Sequence, residues 1–176
     1  MPTARGTGST NMLTVRDAIS ADVEAITRIY NLGIASGTGT LDTHPREPAE
    51  IAAWLDKAAR YPVLVIEQAG EVAGFARLFE YRPRACYASI AEYSIYLHPE
   101  AQGKGFGSTL LAALIERAKS LTFTKLVSRI FTFNHASRAL CQKLGFREVG
   151  VYEAHGQLNG QWLDVVIVEY LIRENL

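Results

Sequence analysis

Between an apolar stretch that ends near Leu97 and an amphipathic one that begins near Leu110, the chain reads His98-Pro99-Glu100-Ala101-Gln102-Gly103-Lys104-Gly105-Phe106-Gly107-Ser108. Three glycines spaced two apart let a backbone curl without Cβ collisions. The first N–H groups of a helix lack intrahelical partners and carry partial positive charge, so a glycine turn feeding a helix is a cradle for an anion, phosphate above all. Lys104 adds a cation. The spacing excludes two nucleotide sites: no G-x-x-x-x-G-K-[ST] string occurs, and G-x-G-x-G late in the chain is not the G-x-G-x-x-G of a first strand. On the loop alone, a glycine turn without a ligand stays open.

Hydrophobic periodicity places the loop within one α/β domain, residues 13–176. A strand near Leu13–Arg16 leads to a helix capped by Ser20, with Val23, Ile26, Ile29 and Tyr30 at helical spacing. The Gly-Thr-rich stretch Gly33–Thr40 is expected to break that helix. A second helix follows Pro48, with Ile51, Trp54, Leu55 and Ala58 on one face. Strands over Pro62–Gln68 and Val72–Phe79 form a hairpin around Ala69-Gly70-Glu71, and Tyr87–Leu97 is a longer strand interrupted by one acid, Glu92. Leu110, Leu111, Leu114, Ile115 and Ala118 mark a helix after the loop. A strand at Leu126–Phe131, a helix at Asn134–Leu144 closed by Gly145, and strands near Phe146–Glu153 and Trp162–Leu171 around Asn159-Gly160 complete the order.

The 176 residues are 48% hydrophobic and 20% charged, with a formal net charge of zero, which argues against a nucleic-acid binder. Cys86 and Cys141 form no C-x-x-C, and the four histidines lack ligand spacing, so neither a disulfide framework nor a metal is expected. Residues 1–12 are rich in Gly, Ser and Thr and are expected to be a disordered tail, not a secretory signal. No membrane span is expected, and the expected location is cytoplasmic.

Gln102-Gly103-Lys104-Gly105-Phe106-Gly107 resembles the Q/R-x-x-G-x-G/A signature of the GCN5-related N-acetyltransferase superfamily, and Asn134-x-x-Ser137 with Leu144-Gly145-Phe146 resembles its next motif. Within that superfamily the chain is most similar to the phosphinothricin and methionine sulfoximine acetyltransferases. The shared features are Tyr30-Asn31, Tyr61-Pro62, Gly70-Glu71-Val72-Ala73-Gly74, Glu92-Tyr93-Ser94-Ile95-Tyr96 and Gly160-Gln161-Trp162-Leu163-Asp164-Val165, spread over about residues 13–172. The resemblance implies the acyl-CoA N-acyltransferase fold, a mixed, splayed sheet of six to seven strands flanked by about four helices. It also implies acetyl-CoA as co-substrate, a small amine acceptor and a homodimer. Ile95, Tyr96 and Leu97 should pair with the pantetheine arm, Gln102 to Ser108 should hold the pyrophosphate, and Asn134 and Ser137 should contact the remainder.

Acetyl transfer to an amine needs a neutral amine, a polarised thioester carbonyl and a proton for the departing sulfur. A carboxylate in an apolar strand is costly unless paired or functional, which singles out Glu92. The resemblance assigns it as the base; a structural carboxylate paired to an arginine is the alternative. Cys141 stands where the superfamily usually has tyrosine and this group histidine, at the coenzyme A sulfur. It is a candidate proton donor, or else a small buried hydrophobe. Arg84 and Tyr87 align with residues facing the acceptor's carboxylate, and Arg77 and Arg82 are further candidates for an anion clamp. Thr40 and Leu41 fall in a substrate-facing loop, where Leu41 departs from the usual aromatic. Trp162 and Asp164 are expected to support a dimer or the pocket wall. The expected reaction is direct transfer in a ternary complex; the rivals are an acetyltransferase for another small amine and a non-catalytic acyl-CoA-binding module.

Overall fold

The computed structural model describes residues 12–176, so the expected tail lies, apart from Met12, outside the described residues. The chain runs β1 (Leu13–Asp17), α1 (Val23–Ser36), α2 (Pro48–Leu55), β2 (Val63–Gln68), β3 (Glu71–Glu80), β4 (Ile90–Leu97), α3 (Phe106–Ser120), β5 (Lys125–Phe131), α4 (His135–Lys143), β6 (Arg147–Leu158) and β7 (Gln161–Leu171). The strands form one seven-stranded sheet in the order β1-β2-β3-β4-β5-β7-β6. Every neighbouring pair is antiparallel except β4–β5, which is parallel. This is the mixed sheet with four helices that the sequence pattern implies.

Alternation along the strands splits the core between the two faces of the sheet. On β2, Leu64 and Ile66 pack with Leu110, Leu111 and Leu114 of α3, whereas Val63 and Val65 pack with Ile26, Ile29 and Ile51 of α1 and α2. Both faces being covered, β2 reads as a continuous apolar run and not as an alternating one. Each large aliphatic side chain buried in this way contributes roughly 1.5–3 kcal/mol.

Several boundaries differ from the sequence expectation, each for a local reason. Ser20 does not cap α1. It opens a short 3-10 turn in which Asp22 Oδ2 accepts from the Ile19 N–H at 2.8 Å, while Arg16 donates to both Asp22 oxygens at 2.7 and 3.0 Å. α1 does end within the Gly33–Thr40 stretch: it runs to Ser36 and stops at left-handed Gly37. Gly33 serves close approach, since a Cβ there would lie 2.8 Å from Tyr96 Cδ1. α2 stops at Leu55, before Ala58. β4 starts at Ile90, with Tyr87 in a 3-10 turn before it. Asn134 caps α4 from outside, its Oδ1 accepting from the Ser137 N–H at 3.2 Å. β6 outruns its expected end because it resumes pairing with β7 after an irregularity between Tyr152 and Gly156. Asp164 pins that bulge by accepting from the Ala154 N–H at 2.7 Å.

β4 and β5 pair over only three positions, Ile90↔Lys125, Ala91↔Leu126 and Glu92↔Val127. Beyond them β4 stays with β3 as far as Leu97↔Gly74, and β5 stays with β7 as far as Phe131↔Val165. The sheet therefore forks, leaving the facing edges of Ser94–Leu97 and Ser128–Phe131 without a strand between them.

Candidate active site

Two cavities meet at the fork. The first is a cleft that runs from the inner edge of β4 to the start of α3. Its wall comprises Ile95, Tyr96 and Leu97, then Gln102, Gly103, Gly105, Gly107 and Ser108, then Asn134, Ser137 and Leu140 from α4 and its cap. Gly103 and Gly105 have φ of 74° and 82°, and a Cβ at either would meet nothing within 4 Å. Their requirement is for left-handed backbone beside open space, which suits a turn that must approach a ligand. Gly107 answers a different need, since a Cβ there would come within 3.3 Å of Leu140.

Two residues of the sequence motif lie outside this wall. Phe106 begins α3 and is buried in the core, and Lys104 is exposed on the loop. The cation on the wall is Lys143, from the last turn of α4, whose Nζ donates to Ser108 Oγ at 3.3 Å. Nothing in the local sequence pairs Lys143 with Ser108, because the contact depends on α4 docking beside α3. The cleft's features, helix N-terminus, open left-handed glycines and a nearby ammonium, fit a pyrophosphate. The unpaired strand edges fit an extended amide-bearing arm.

The second cavity, of about 400 Å³, opens beside the first and shares Gly39, Ile95, Tyr96, Asn134 and Ser137 with it. Glu92 lies on its wall, at the last rung before the fork. Its carboxylate is 13% exposed and accepts from Arg129 at 3.3 Å. The α1–α2 connection contributes Thr40, Leu41, Asp42 and Arg46. Asp42 accepts from the Tyr30 hydroxyl and from Arg46 at 3.0 Å, so it lies below the usual carboxylate range despite partial burial, which pushes the other way. Leu41 packs over Gly156, where a Cβ would collide with its side chain. His155, carried in by the bulge that Asp164 pins, completes this side.

Because the sheet is parted here, residues from its other face reach the same cavity, among them Tyr93 and Ser128. The Ser128 hydroxyl donates to the Tyr93 carbonyl at 3.0 Å, closing the base of the fork. The Tyr93 hydroxyl is 2.7 Å from Cys141 Sγ. Burial raises the pKa of both groups, so phenol and thiol are neutral at physiological pH. Cys141 itself is 2% exposed and lines neither cavity, whereas Tyr93 lines the second. Sequence reasoning passed over Tyr93, although it adjoins Glu92, because alternation assigns it to the opposite face. Arg84 and Tyr87 also lie outside both walls, with the exposed Arg84 guanidinium 5.8 Å above the Tyr87 ring.

Among the described residues, no group of three or more His, Cys, Asp or Glu is arranged to hold a metal ion, and no helix is long and apolar enough to cross a membrane. Residues 26–146 match the model of the Acetyltransferase (GNAT) family. The L-methionine sulfoximine/L-methionine sulfone acetyltransferase of Pseudomonas aeruginosa is 38% identical over 158 residues, covering 88% of this chain and 92% of that one. The phosphinothricin acetyltransferase of Sinorhizobium meliloti, solved with acetyl-CoA, has a TM-score of 0.83 and 36% identity over 90% of this chain and 88% of its own. Salmonella typhimurium yncA, solved with its cofactor acetyl-CoA, superposes with a TM-score of 0.89 at 32% identity, over 92% of this chain and 94% of its own.

Proposed function

The chain belongs to the Acetyltransferase (GNAT) family and is an acetyl-CoA-dependent N-acetyltransferase, and we propose that its acceptor is the amino group of a small amino-acid-like molecule of the methionine sulfoximine or phosphinothricin type. The observation that carries this reading is the position of Glu92, at the last rung of the fork, on the wall of the cavity that adjoins the glycine-loop cleft. The similarity to methionine sulfoximine and phosphinothricin acetyltransferases supports the acceptor class.

In this reading Gly103, Gly105 and the first N–H groups of α3 bind the pyrophosphate, with Lys143 offsetting its charge. The edges of β4 over Ile95, Tyr96 and Leu97 take the pantetheine arm like an added strand, and Asn134 and Ser137 border it. Bound acetyl-CoA supplies an acetyl thioester at the fork. Glu92 Oε accepts the proton that the acceptor ammonium must lose before its nitrogen can attack. Backbone N–H groups between Ile95 and Leu97 polarise the carbonyl oxygen. As the nitrogen attacks and the C–S bond breaks, the Tyr93 hydroxyl gives its proton to the departing sulfur. The acylated nitrogen releases its surplus proton to water, and Tyr93 is reprotonated from water. Cys141 acts through Tyr93 by holding that hydroxyl in place. Arg129 orients the Glu92 carboxylate by donating to it. A homodimer is supported by exposed apolar side chains on β6 and the start of β7, namely Val149, Val151, Tyr152 and Trp162.

The test is an acceptor screen that follows thiol release from acetyl-CoA. Methionine sulfoximine, methionine sulfone or phosphinothricin should stimulate release many-fold. Stimulation confined to polyamines or aminoglycosides would reject this acceptor class.

A further inference from the structure

Among the described residues, one cation on the acceptor cavity wall has no acid to balance it. Arg46 is paired with Asp42 and Arg129 with Glu92, at 3.0 and 3.3 Å. Arg77, on β3, enters no ion pair with either acid, and its Nε is fully buried without a hydrogen-bond partner. Its guanidinium carbon lies 3.8 Å from the centre of the Trp54 ring and 4.6 Å from that of Phe79. Burial pushes its pKa down to about 10, which leaves it charged at neutral pH. Among the described residues, the groups that act on it supply no free anion: Tyr30 and Tyr96 are neutral phenols whose ionisation burial opposes, and Asp42 is committed to Tyr30 and Arg46.

An unneutralised buried charge is expensive, and aromatic faces compensate only part of that cost. A guanidinium flanked by two rings still keeps its in-plane N–H edge for a ligand, and that edge matches a carboxylate. The register fixes where such a ligand would sit. Arg77 faces Ser94 and Phe79 faces Glu92, so Arg77 stands on the same sheet face as Glu92, two residues away and roughly 7 Å along the strand.

We propose that Arg77 anchors the α-carboxylate of the acceptor, directing its amino group to Glu92, so that the site selects free α-amino acids over their amides and over simple amines. The assignment rests on the acetyltransferase reading above and deepens it. It moves the anchoring role from the exposed Arg84 to an arginine on the rigid sheet. Specificity then follows from desolvation: a neutral amide in place of the carboxylate leaves Arg77 as unbalanced as it is in the empty cavity.

The experiment pairs binding with turnover. The chain has two tryptophans, and Trp54 lies under Arg77, so in a Trp162→Phe background its fluorescence reports ligands at the guanidinium. Methionine sulfoximine and its carboxamide are titrated and then compared as acceptors. The acid is expected to bind about tenfold to a hundredfold more tightly than the amide, the range of a charge-assisted hydrogen bond. Arg77→Met should bring that ratio close to one, and Arg77→Lys should restore part of it. Equal binding or equal acetylation of acid and amide by the protein with Arg77 intact overturns the assignment, and that comparison needs no variant to fold. An undiminished preference in Arg77→Met overturns it as well, as does failure of the acid to bind. Acid-selective binding that depends on Arg77, without acetylation of either compound, would uphold the anchor and remove the proposed acceptor class.

Discussion

The hydroxyl of Tyr93 lies 2.7 Å from the sulfur of Cys141, and of the two residues only Tyr93 lines the cavity at the fork. This arrangement ranks the two. Tyr93→Phe should lower kcat about tenfold to a hundredfold with little change in the KM for acetyl-CoA, as expected for the loss of one donor to developing charge. Cys141→Ala should have a smaller effect on kcat and cost about 1 kcal/mol in stability. The reverse ranking in steady-state kinetics would return the donor role to Cys141.

The same burial predicts thiol behaviour. Cys86 is exposed and Cys141 is buried, so a thiol reagent should label one cysteine quickly in the native protein and both after denaturation. The Cys141 pKa is raised in the folded state, so its contribution to stability is fully present below the unfolded value of about 8.5. As the pH climbs further, the unfolded chain loses this proton and the folded chain keeps it. The melting temperature should therefore fall as the pH rises above about 8.5, and less steeply in Cys141→Ala.

Glu92→Gln keeps the shape of the carboxylate and removes its basicity. Turnover should drop about 10²- to 10⁴-fold, the usual worth of a positioned base, while acetyl-CoA affinity measured by calorimetry stays within a few-fold. A variant of undiminished turnover would take Glu92 out of the mechanism.

Gly33→Ala sets two effects against each other. Alanine in a helix interior gains about 1 kcal/mol over glycine. Against that, the new Cβ would lie 2.8 Å from Tyr96, whose ring is hemmed in by Phe75 and Tyr30. Overpacking of this kind costs about 1–3 kcal/mol, so the net effect should be destabilising. Because Tyr96 lines both cavities, weaker acetyl-CoA binding should accompany the lower melting temperature.

Asp22 supplies an acid-side counterpart. The hydrogen bonds from Arg16 hold its carboxyl below the usual range. Its contribution is therefore present above about pH 4 and is lost as the pH falls through the folded value. Asp22→Asn should cost on the order of 2 kcal/mol at neutral pH and flatten the stability profile below pH 4, read by chemical denaturation across pH.

What the sequence disclosed was what is local. The strand-glycine-helix passage, the periodicity of α3 and an acid in an apolar strand each carry their meaning within a dozen residues. What it concealed depends on distant partners. Gly33 reads as one more residue of a helix-ending stretch until Tyr96 packs on it, and Lys143 is an ordinary helix-end lysine until α4 brings it to Ser108. Tyr93 was hidden by a rule that holds for intact sheets: alternation sends it to the far face, yet where the strands part, that face reaches the same cavity. Arg77 was visible as an arginine, but its lack of an acid partner is a property of the whole cavity.

The fork also divides the protein by order of synthesis. β1 to β4 and the glycine loop come from the first part of the chain, whereas Arg129, Asn134, Ser137 and Lys143 come from the part that follows α3. In the sheet only three rungs join the two parts. A nascent chain that has finished the glycine loop thus owns one wall of the cleft and no opposite wall. The pocket comes into existence only when the later strands dock, which makes cofactor binding a readout of completed folding.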